Sequence, residues 1–439
     1  IYTDAKAFFR DATYPTDGLR QVVSSVCRRV RGDAGAPAIY RLETQFGGGK
    51  THTLISCVHI AYRGKELKDV TSNILDEKYL PEPGTVDVVG IAGDTLPVQK
   101  TSGDSIQPYT IWGDMAYQLG GKDLYEQVKT EAESYAAPGL PFFEKVLGDR
   151  KAVIMLDELA QYATRLEVVL PGKGADMLSA FLMTLNNYAK NHTGISVIVT
   201  LASSSDAFAH QTKALTKELN QLTGSENLTE NDARSLAQEA TKSVSSVVSR
   251  EATVVTPVQA NEIAAILAKR LFDSIDQMAA REVMQEYSAM YSRNTQLLPE
   301  EANSVNFQKR MLANYPFHPK FIDFLNNKLA QAENFQGTRG VLRVLSLTIR
   351  SIWKKKEPIH LIHVSNIDMR NPEIVSEILG ITGCADLRVV LNVDIGSIET
   401  RDAMAGSGGI SRAQSKDREN PHPDGLPMYE MTWKVVFLN

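Results

Sequence analysis

The densest chemistry in this sequence lies in seven consecutive residues, Phe46-Gly47-Gly48-Gly49-Lys50-Thr51-His52. An apolar run at 38–43 precedes them and reads as a buried strand. An apolar stretch at 53–62 follows and reads as a helix. Glycines between a strand and a helix let backbone N–H groups converge on a phosphate at the positive end of the helix dipole. Lys50 adds a mobile cation for β- and γ-phosphates, and Thr51 adds a hydroxyl suited to Mg²⁺. The run therefore predicts a nucleotide site, with ATP and Mg²⁺ as its occupants. The match to G-x-x-x-x-G-K-[ST] departs at the first glycine, where Thr44 stands.

A second pair of reactive groups ends the run Lys151-Ala152-Val153-Ile154-Met155-Leu156-Asp157-Glu158. This strand is apolar throughout rather than alternating, as a central parallel strand covered on both faces should be. Two carboxylates at its end would carry uncompensated buried charge unless something binds there. A metal ion and water meet that need. Asp157 is expected to hold Mg²⁺ through its coordinated water, and Glu158 to polarise the water that attacks a γ-phosphate. Without the upstream glycine loop, the same residues would read as a strand ending in a solvated turn with a helix-capping acid.

Other elements must hold these groups in place. Strands are expected at 86–92, ending at Gly93-Asp94, and at 195–201, ending in Ala202-Ser203-Ser204-Ser205-Asp206, with a last short one at 252–256. A helical stretch at 17–31 precedes the first strand, and another at 111–119 falls between strands. Such alternation predicts the α/β class with a parallel sheet. Ligands of such sheets sit at the carboxyl ends of the strands, where every group named so far falls.

The chain divides by composition. Residues 1–35 read as a lead-in with a helix. Residues 36–257 form the core, interrupted by a polar helical insertion at 207–249. Residues 258–357 read as a helical lid. Residues 358–439 read as a small mixed α/β region, with strand-like runs at 389–393 and 432–438 and a Gly/Ser/Pro-rich loop at 405–427. At 439 residues, 43% hydrophobic and 23% charged, the chain is globular and long enough for two or three domains. A net charge of −5 excludes a global basic field for nucleic acid. Three cysteines, none at metal-ligand spacing, fit a reducing cytoplasmic setting without a disulfide frame. No apolar run approaches 18 residues, so no membrane partner is expected. The first residue is Ile and the last residues read as a strand cut in mid-course, so the chain is expected to be part of a longer protein.

An α/β core followed by a helical bundle is similar to the layout of AAA-type P-loop ATPases. More narrowly, Thr13-Tyr14-Pro15-Thr16-Asp17-Gly18-Leu19-Arg20 and Glu43-Thr44-Gln45-Phe46-Gly47-Gly48-Gly49-Lys50-Thr51-His52 resemble the large bacterial and archaeal ATPases long catalogued as a domain of unknown function. Trp112-Gly113-Asp114-Met115-Ala116-Tyr117-Gln118-Leu119, Asp157-Glu158-Leu159-Ala160-Gln161-Tyr162, Tyr315-Pro316-Phe317-His318-Pro319 and Gly337-Thr338-Arg339-Gly340-Val341-Leu342-Arg343 share that resemblance. Threonine at position 44 belongs to the same pattern. The resemblance implies ATP hydrolysis and a homo-oligomer. It also implies an antiphage setting beside DNA methyltransferases, helicases and nucleases, similar to the ATPases of BREX-type systems.

The same resemblance suggests further site residues. Thr200 or Ser203 would orient the attacking water or touch the γ-phosphate. Arg250 would act as an arginine finger, since its always-charged fork suits the transition state. Arg339 or Arg343, one turn apart, would reach the γ-phosphate from the lid. Tyr14, with Pro15 and Thr16, would line the adenine pocket. His318 is expected to be structural, with Phe317 packed in the lid. The basic clusters Arg28-Arg29-Val30-Arg31 and Lys354-Lys355-Lys356 could touch a DNA backbone, or serve as solvated helix faces. Two functions compete: an ATP-driven motor acting on DNA, and a nucleotide-gated assembly switch with slow hydrolysis.

Overall fold

The computed structural model describes residues 2–43, 49–100, 103, 105–201, 212–224, 227–329, 338–396 and 410–438. The chain forms two units, Ile1–Gln259 and Ala260–Asn439. The strands of the first unit are β1 (Ile39–Leu42), β2 (Asp87–Ala92), β3 (Ala152–Asp157), β4 (Ile195–Thr200) and β5 (Thr253–Val255). Its longer helices are α1 (Asp17–Val30), α2 (Lys50–Arg63), α3 (Ile111–Gln127), α4 (Leu140–Val146), α5 (Leu159–Val169), α6 (Gly174–Asn191), α7 (Thr212–Thr223) and α8 (Glu230–Glu251).

All the strand pairs are parallel, in the order β2-β3-β4-β1-β5. The apolar runs of β3 and β4 are central strands, buried on both faces as their unbroken hydrophobicity requires. After β1 the chain moves across the sheet to β2 at the far edge. After β4 it moves the other way, over β1, to β5. Strands β4 and β1 are neighbours whose connections leave in opposite directions, so the crevice between their carboxyl ends is the topological switch point where α/β sheets bind ligands.

The two connections cover opposite faces. Helices α1 and α2 pack with Tyr40, Leu42, Val153, Met155 and Ile198 on one face. Helices α3 to α6 and α8 pack with Ile39, Ile154, Leu156, Val197 and Val199 on the other. Because side chains alternate along a strand, Asp157 and Thr200 share the face of Met155 and Ile198, which is the face that α2 covers. The register brings them level: Leu156 pairs with Val199, and Leu42 pairs with both Thr200 and Val255. The expected insertion is helical, with α7 and α8 packed on α5 and α6.

The second unit is built from α9 (Ile263–Leu271), α10 (Gln277–Arg293), α11 (Val305–Asn314), α12 (Pro319–Phe324), α13 (Thr338–Lys355), α14 (Pro372–Thr382), α15 (Arg388–Asp394), α16 (Arg412–Glu419) and α17 (Met428–Leu438). The strands expected at 389–393 and 432–438 are helices instead, so the C-terminal region is helical among the described residues rather than α/β. Short apolar runs do not distinguish strand from helix by pattern alone. No strand of the described residues stands beside them to pair with. Each run instead turns one stripe inward: Leu391, with Ile395 just past the helix, is buried in one, and Trp433 and Phe437 are partly buried in the other. Helix α16 lies inside the stretch expected to be loop; Ser411 and Gln414 close a capping box at its start.

Candidate active site

The described part of the glycine run begins at Gly49. Phe46, Gly47 and Gly48 lie outside the described residues. Gly49 has φ of 96° and caps α2, so Lys50, Thr51 and His52 form the first helical turn. A left-handed glycine suits this place, and a side chain would not fit there. A Cβ on Gly49 would lie 2.7 Å from Val258 Cγ2 and 3.0 Å from Pro257 Cβ. The first N–H groups of a helix have no intrahelical acceptor, so this turn offers donors and a positive dipole end to an anion. Thr51 is exposed and Lys50 half-buried, which leaves both available to a ligand.

The carboxylates meet this turn from β3. Asp157 Oδ1 accepts hydrogen bonds from the Thr200 hydroxyl and, at 3.1 Å, from the backbone N–H of Glu158. Among the described residues its other oxygen has no hydrogen-bond partner and could take a water or a metal ion. Glu158 sits in the left-handed region, with φ 51° and ψ 39°. A non-glycine residue there carries about 1–3 kcal/mol of strain, which surrounding contacts must outweigh. Here the Glu158 N–H is held by Asp157 Oδ1 and, at 3.2 Å, by Thr200 Oγ1. Burial raises the Glu158 pKa above the usual carboxylate range. The Lys50 charge opposes this, and the Asp157 and Asp94 charges add to it. Lys50 and Glu158, 108 positions apart in sequence, are thus electrostatic neighbours.

These residues fit Mg²⁺ with ATP. A hydroxyl at the helix start and a carboxylate with an uncommitted oxygen are the hard oxygen donors Mg²⁺ takes, and it keeps several waters besides. Held there, the ion would neutralise charge on the β- and γ-phosphates.

Other candidates are placed unevenly. The His52 ring is engaged elsewhere: it stacks on Phe8 at 4.4 Å, and its Nε2 meets Thr13 Oγ1 at 2.9 Å. That contact fastens the segment bearing half-buried Tyr14 to the start of α2. Thr16 caps α1 and donates to the Pro257 carbonyl at 2.6 Å. Ser203 lies outside the described residues. Arg250 is exposed at the end of α8, beside edge strand β5. In the second unit, Arg343 pairs with Glu377 at 3.2 Å, and the side chain of Arg339 is outside the described residues. His318 is buried, caps α12 and meets the Tyr291 hydroxyl at 2.8 Å.

Of the first basic cluster, Arg29 is spent inside the fold, while Arg28 is half-buried and Arg31 exposed. Arg29 is 4% exposed and donates to the carbonyls of Ala36, Ala189, Lys190, His192 and Ile195. Arg28 pairs with Asp33, and Arg31 donates to the Leu80 carbonyl. In the second, Lys355 pairs with Asp368 at 2.8 Å, while Lys354 and Lys356 are exposed. Three residues to which the sequence gave no role also border the site: Gly93 and Asp94, named only as the end of a strand, and Arg165. Gly93 and Asp94 follow β2 in the same way that the carboxylates follow β3, which was a readable signal. Arg165 gave none.

A family model described as the DUF499 N-terminal domain matches residues 1–222, and one described as the DUF499 second domain matches residues 258–407. The second match begins within two residues of the division between the two structural units. No curated protein and no solved structure matches the chain. The chain belongs to the DUF499 family.

Proposed function

We propose that the first unit is an AAA-type P-loop ATPase that binds Mg²⁺-ATP at the switch point between β1 and β4 and hydrolyses it. The observation that carries this reading is that Lys50, in the first turn of α2, is an electrostatic neighbour of Glu158 at the end of β3, where Asp157 is held by Thr200. The α2 N–H groups and Lys50 would bind the phosphates. Thr51 and Asp157 would hold Mg²⁺. Glu158, whose basicity burial raises and whose ionised form the Lys50 charge favours, is held in place through its backbone and would take the proton of the attacking water. The DNA-associated antiphage role and the partners named by the resemblance belong to this proposal as its biological setting.

The test is ATP affinity and turnover in two variants. Lys50→Ala should lose tight binding, because the loop loses its phosphate cation. Glu158→Gln should bind ATP and fail to hydrolyse it, because an amide cannot accept the proton. Wild-type turnover in folded Glu158→Gln would show that another group activates the water.

A further inference from the structure

Arg165 lies on α5, two turns beyond Glu158, and is 5% exposed. Its Nη2 donates to the carbonyls of Gly93 and, at 2.9 Å, Leu96. Its Nη1 meets Glu218 Oε1 of α7 at 3.3 Å. A guanidinium kept out of water at this cost holds something in place. What it holds is the turn at 93–96, at the carboxyl end of β2.

That turn rests on the backbone of the two carboxylates. Gly93 donates its N–H to the Asp157 carbonyl at 2.7 Å. A Cβ on Gly93 would lie 2.5 Å from the Glu158 carbonyl oxygen and 3.0 Å from that of Asp157. Helix α7 closes the arrangement from outside, with Leu215 and Leu219 packed with Ala160, two residues beyond Glu158. The half-exposed Glu218 is the outer end of this chain of contacts.

We propose that Arg165 is a positioning residue of the hydrolytic site: it clamps the 93–96 turn onto the Asp157 and Glu158 backbone, and through Glu218 it makes α7 part of the clamp. This rests on the ATPase reading above. Arg165 acts through the left-handed backbone of Glu158, limiting its carboxylate to one orientation. A carboxylate free to swing leaves the phosphate-binding turn of α2 untouched and loses alignment with the attacking water. Turnover should fall while nucleotide affinity holds. The helical insertion thereby gains a purpose: it stiffens the element that carries the water-activating acid.

Three variants test this. Glu218→Gln removes the outer end of the clamp at a half-exposed position. Gly93→Ala pushes the turn off Glu158 and leaves Arg165 intact. Arg165→Lys keeps the charge but cannot span two carbonyls and a carboxylate. The measurements are the Kd of a non-hydrolysable ATP analogue, kcat, KM and melting temperature. Analogue Kd should stay within about twofold of wild type, while kcat falls about tenfold or more in Gly93→Ala and Arg165→Lys, and about threefold in Glu218→Gln. The Gly93→Ala/Arg165→Lys double variant should be little worse than the worse single variant, since both act on one turn. Unchanged kcat in folded Gly93→Ala and Glu218→Gln would overturn the clamp and leave the ATPase reading standing. A parallel loss of affinity and kcat in folded variants would overturn it as well, because that marks general support of the fold. A wild-type chain that neither binds nor hydrolyses Mg²⁺-ATP would overturn the reading and the clamp together.

Discussion

The Thr200 hydroxyl donates its proton to Asp157 Oδ1 and accepts the Glu158 backbone N–H at 3.2 Å. One side chain at the end of β4 thus orients both acidic residues at the end of β3. Its single proton is committed to Asp157. In this arrangement it acts by aiming the metal-binding carboxylate and pinning the strained Glu158 backbone.

Thr200→Val keeps the shape and deletes both bonds. Losing them at a buried site costs about 1–3 kcal/mol, or about 5- to 150-fold in rate if it falls on the transition state. Thr200→Ser should retain most of the activity. The decisive comparison is turnover of the two variants at matched ATP affinity. Equal rates for Val and wild type would remove Thr200 from the site.

Thr51→Ala addresses the metal. The hydroxyl is exposed at the first turn of α2. Its proposed task is Mg²⁺ coordination, so binding of Mg²⁺-ATP should weaken by about tenfold while ATP in EDTA is little affected. Equal losses under both conditions would mean that Thr51 supports the loop instead.

Much of this was legible in the sequence. Strands β1 to β5 were readable because short runs rich in apolar residues, bounded by turn residues and set among helical stretches, fit the strands of a parallel sheet. The Asp157-Glu158 pair was readable because acids at the end of such a strand need a reason. Arg165 was not. On a helix, a lone arginine reads as part of a solvated face. Its burial follows from contacts with Gly93 and Glu218, 72 positions before it and 53 after it. Arg29 was hidden in the same way: one member of a basic cluster is an internal bracket for α6 and β4, while its neighbours Arg28 and Arg31 stay at the surface. The helices at α15 and α17 were missed for the opposite reason. Local apolar pattern was all there was to read, and the absence of a neighbouring strand is a tertiary fact.

The buried histidines of the second unit give a pH dependence. His318 and His363 stack at 4.4 Å. Each Nδ1 accepts a backbone N–H, from Lys320 and Asn366 respectively, and each Nε2 faces a tyrosine hydroxyl. Neither ring has a nitrogen free for a second proton. Burial lowers His318 to about 3, with the neighbouring His363 adding to it, and burial lowers His363 to about 4. Folded values below the unfolded 6.5 mean that the unfolded chain takes up protons first. This stabilisation is therefore complete above about pH 6.5 and is lost as the pH falls toward 4, by up to about 1.4 kcal/mol per pH unit for each ring. Denaturation at pH 7 and pH 5 should show a steeper loss in wild type than in His318→Asn/His363→Asn. Parallel curves would refute the assignment.

Gly18 offers a stability test away from the chemistry. A Cβ there would lie 2.1 Å from the Thr256 carbonyl oxygen, where α1 closes on the exit of β5. Backbone on both sides leaves little to yield, so Gly18→Ala should cost about 1–3 kcal/mol or more. A melting temperature equal to wild type would mean that α1 can shift freely.

Arg250 decides whether this chain can work alone. Its flanking residues are tied down: Ser249 accepts from Arg41, and Glu251 pairs with Lys190. The end of α8 is thereby fixed, and Arg250 between them is exposed without an ion pair among the described residues. It stands beside β5, the edge of the sheet, where a neighbouring copy could approach. The hypothesis is that Arg250 completes the site of that copy, supplying a fixed cation worth about 10³–10⁵ in rate where such fingers act. The isolated chain should then be a slow ATPase whose specific activity rises with its own concentration. Arg250→Ala should bind ATP normally and turn it over slowly. Mixing it with Lys50→Ala should restore part of the activity, because a mixed interface pairs an intact loop with an intact arginine. Concentration-independent turnover, with no rescue on mixing despite confirmed co-assembly, would exclude the trans role.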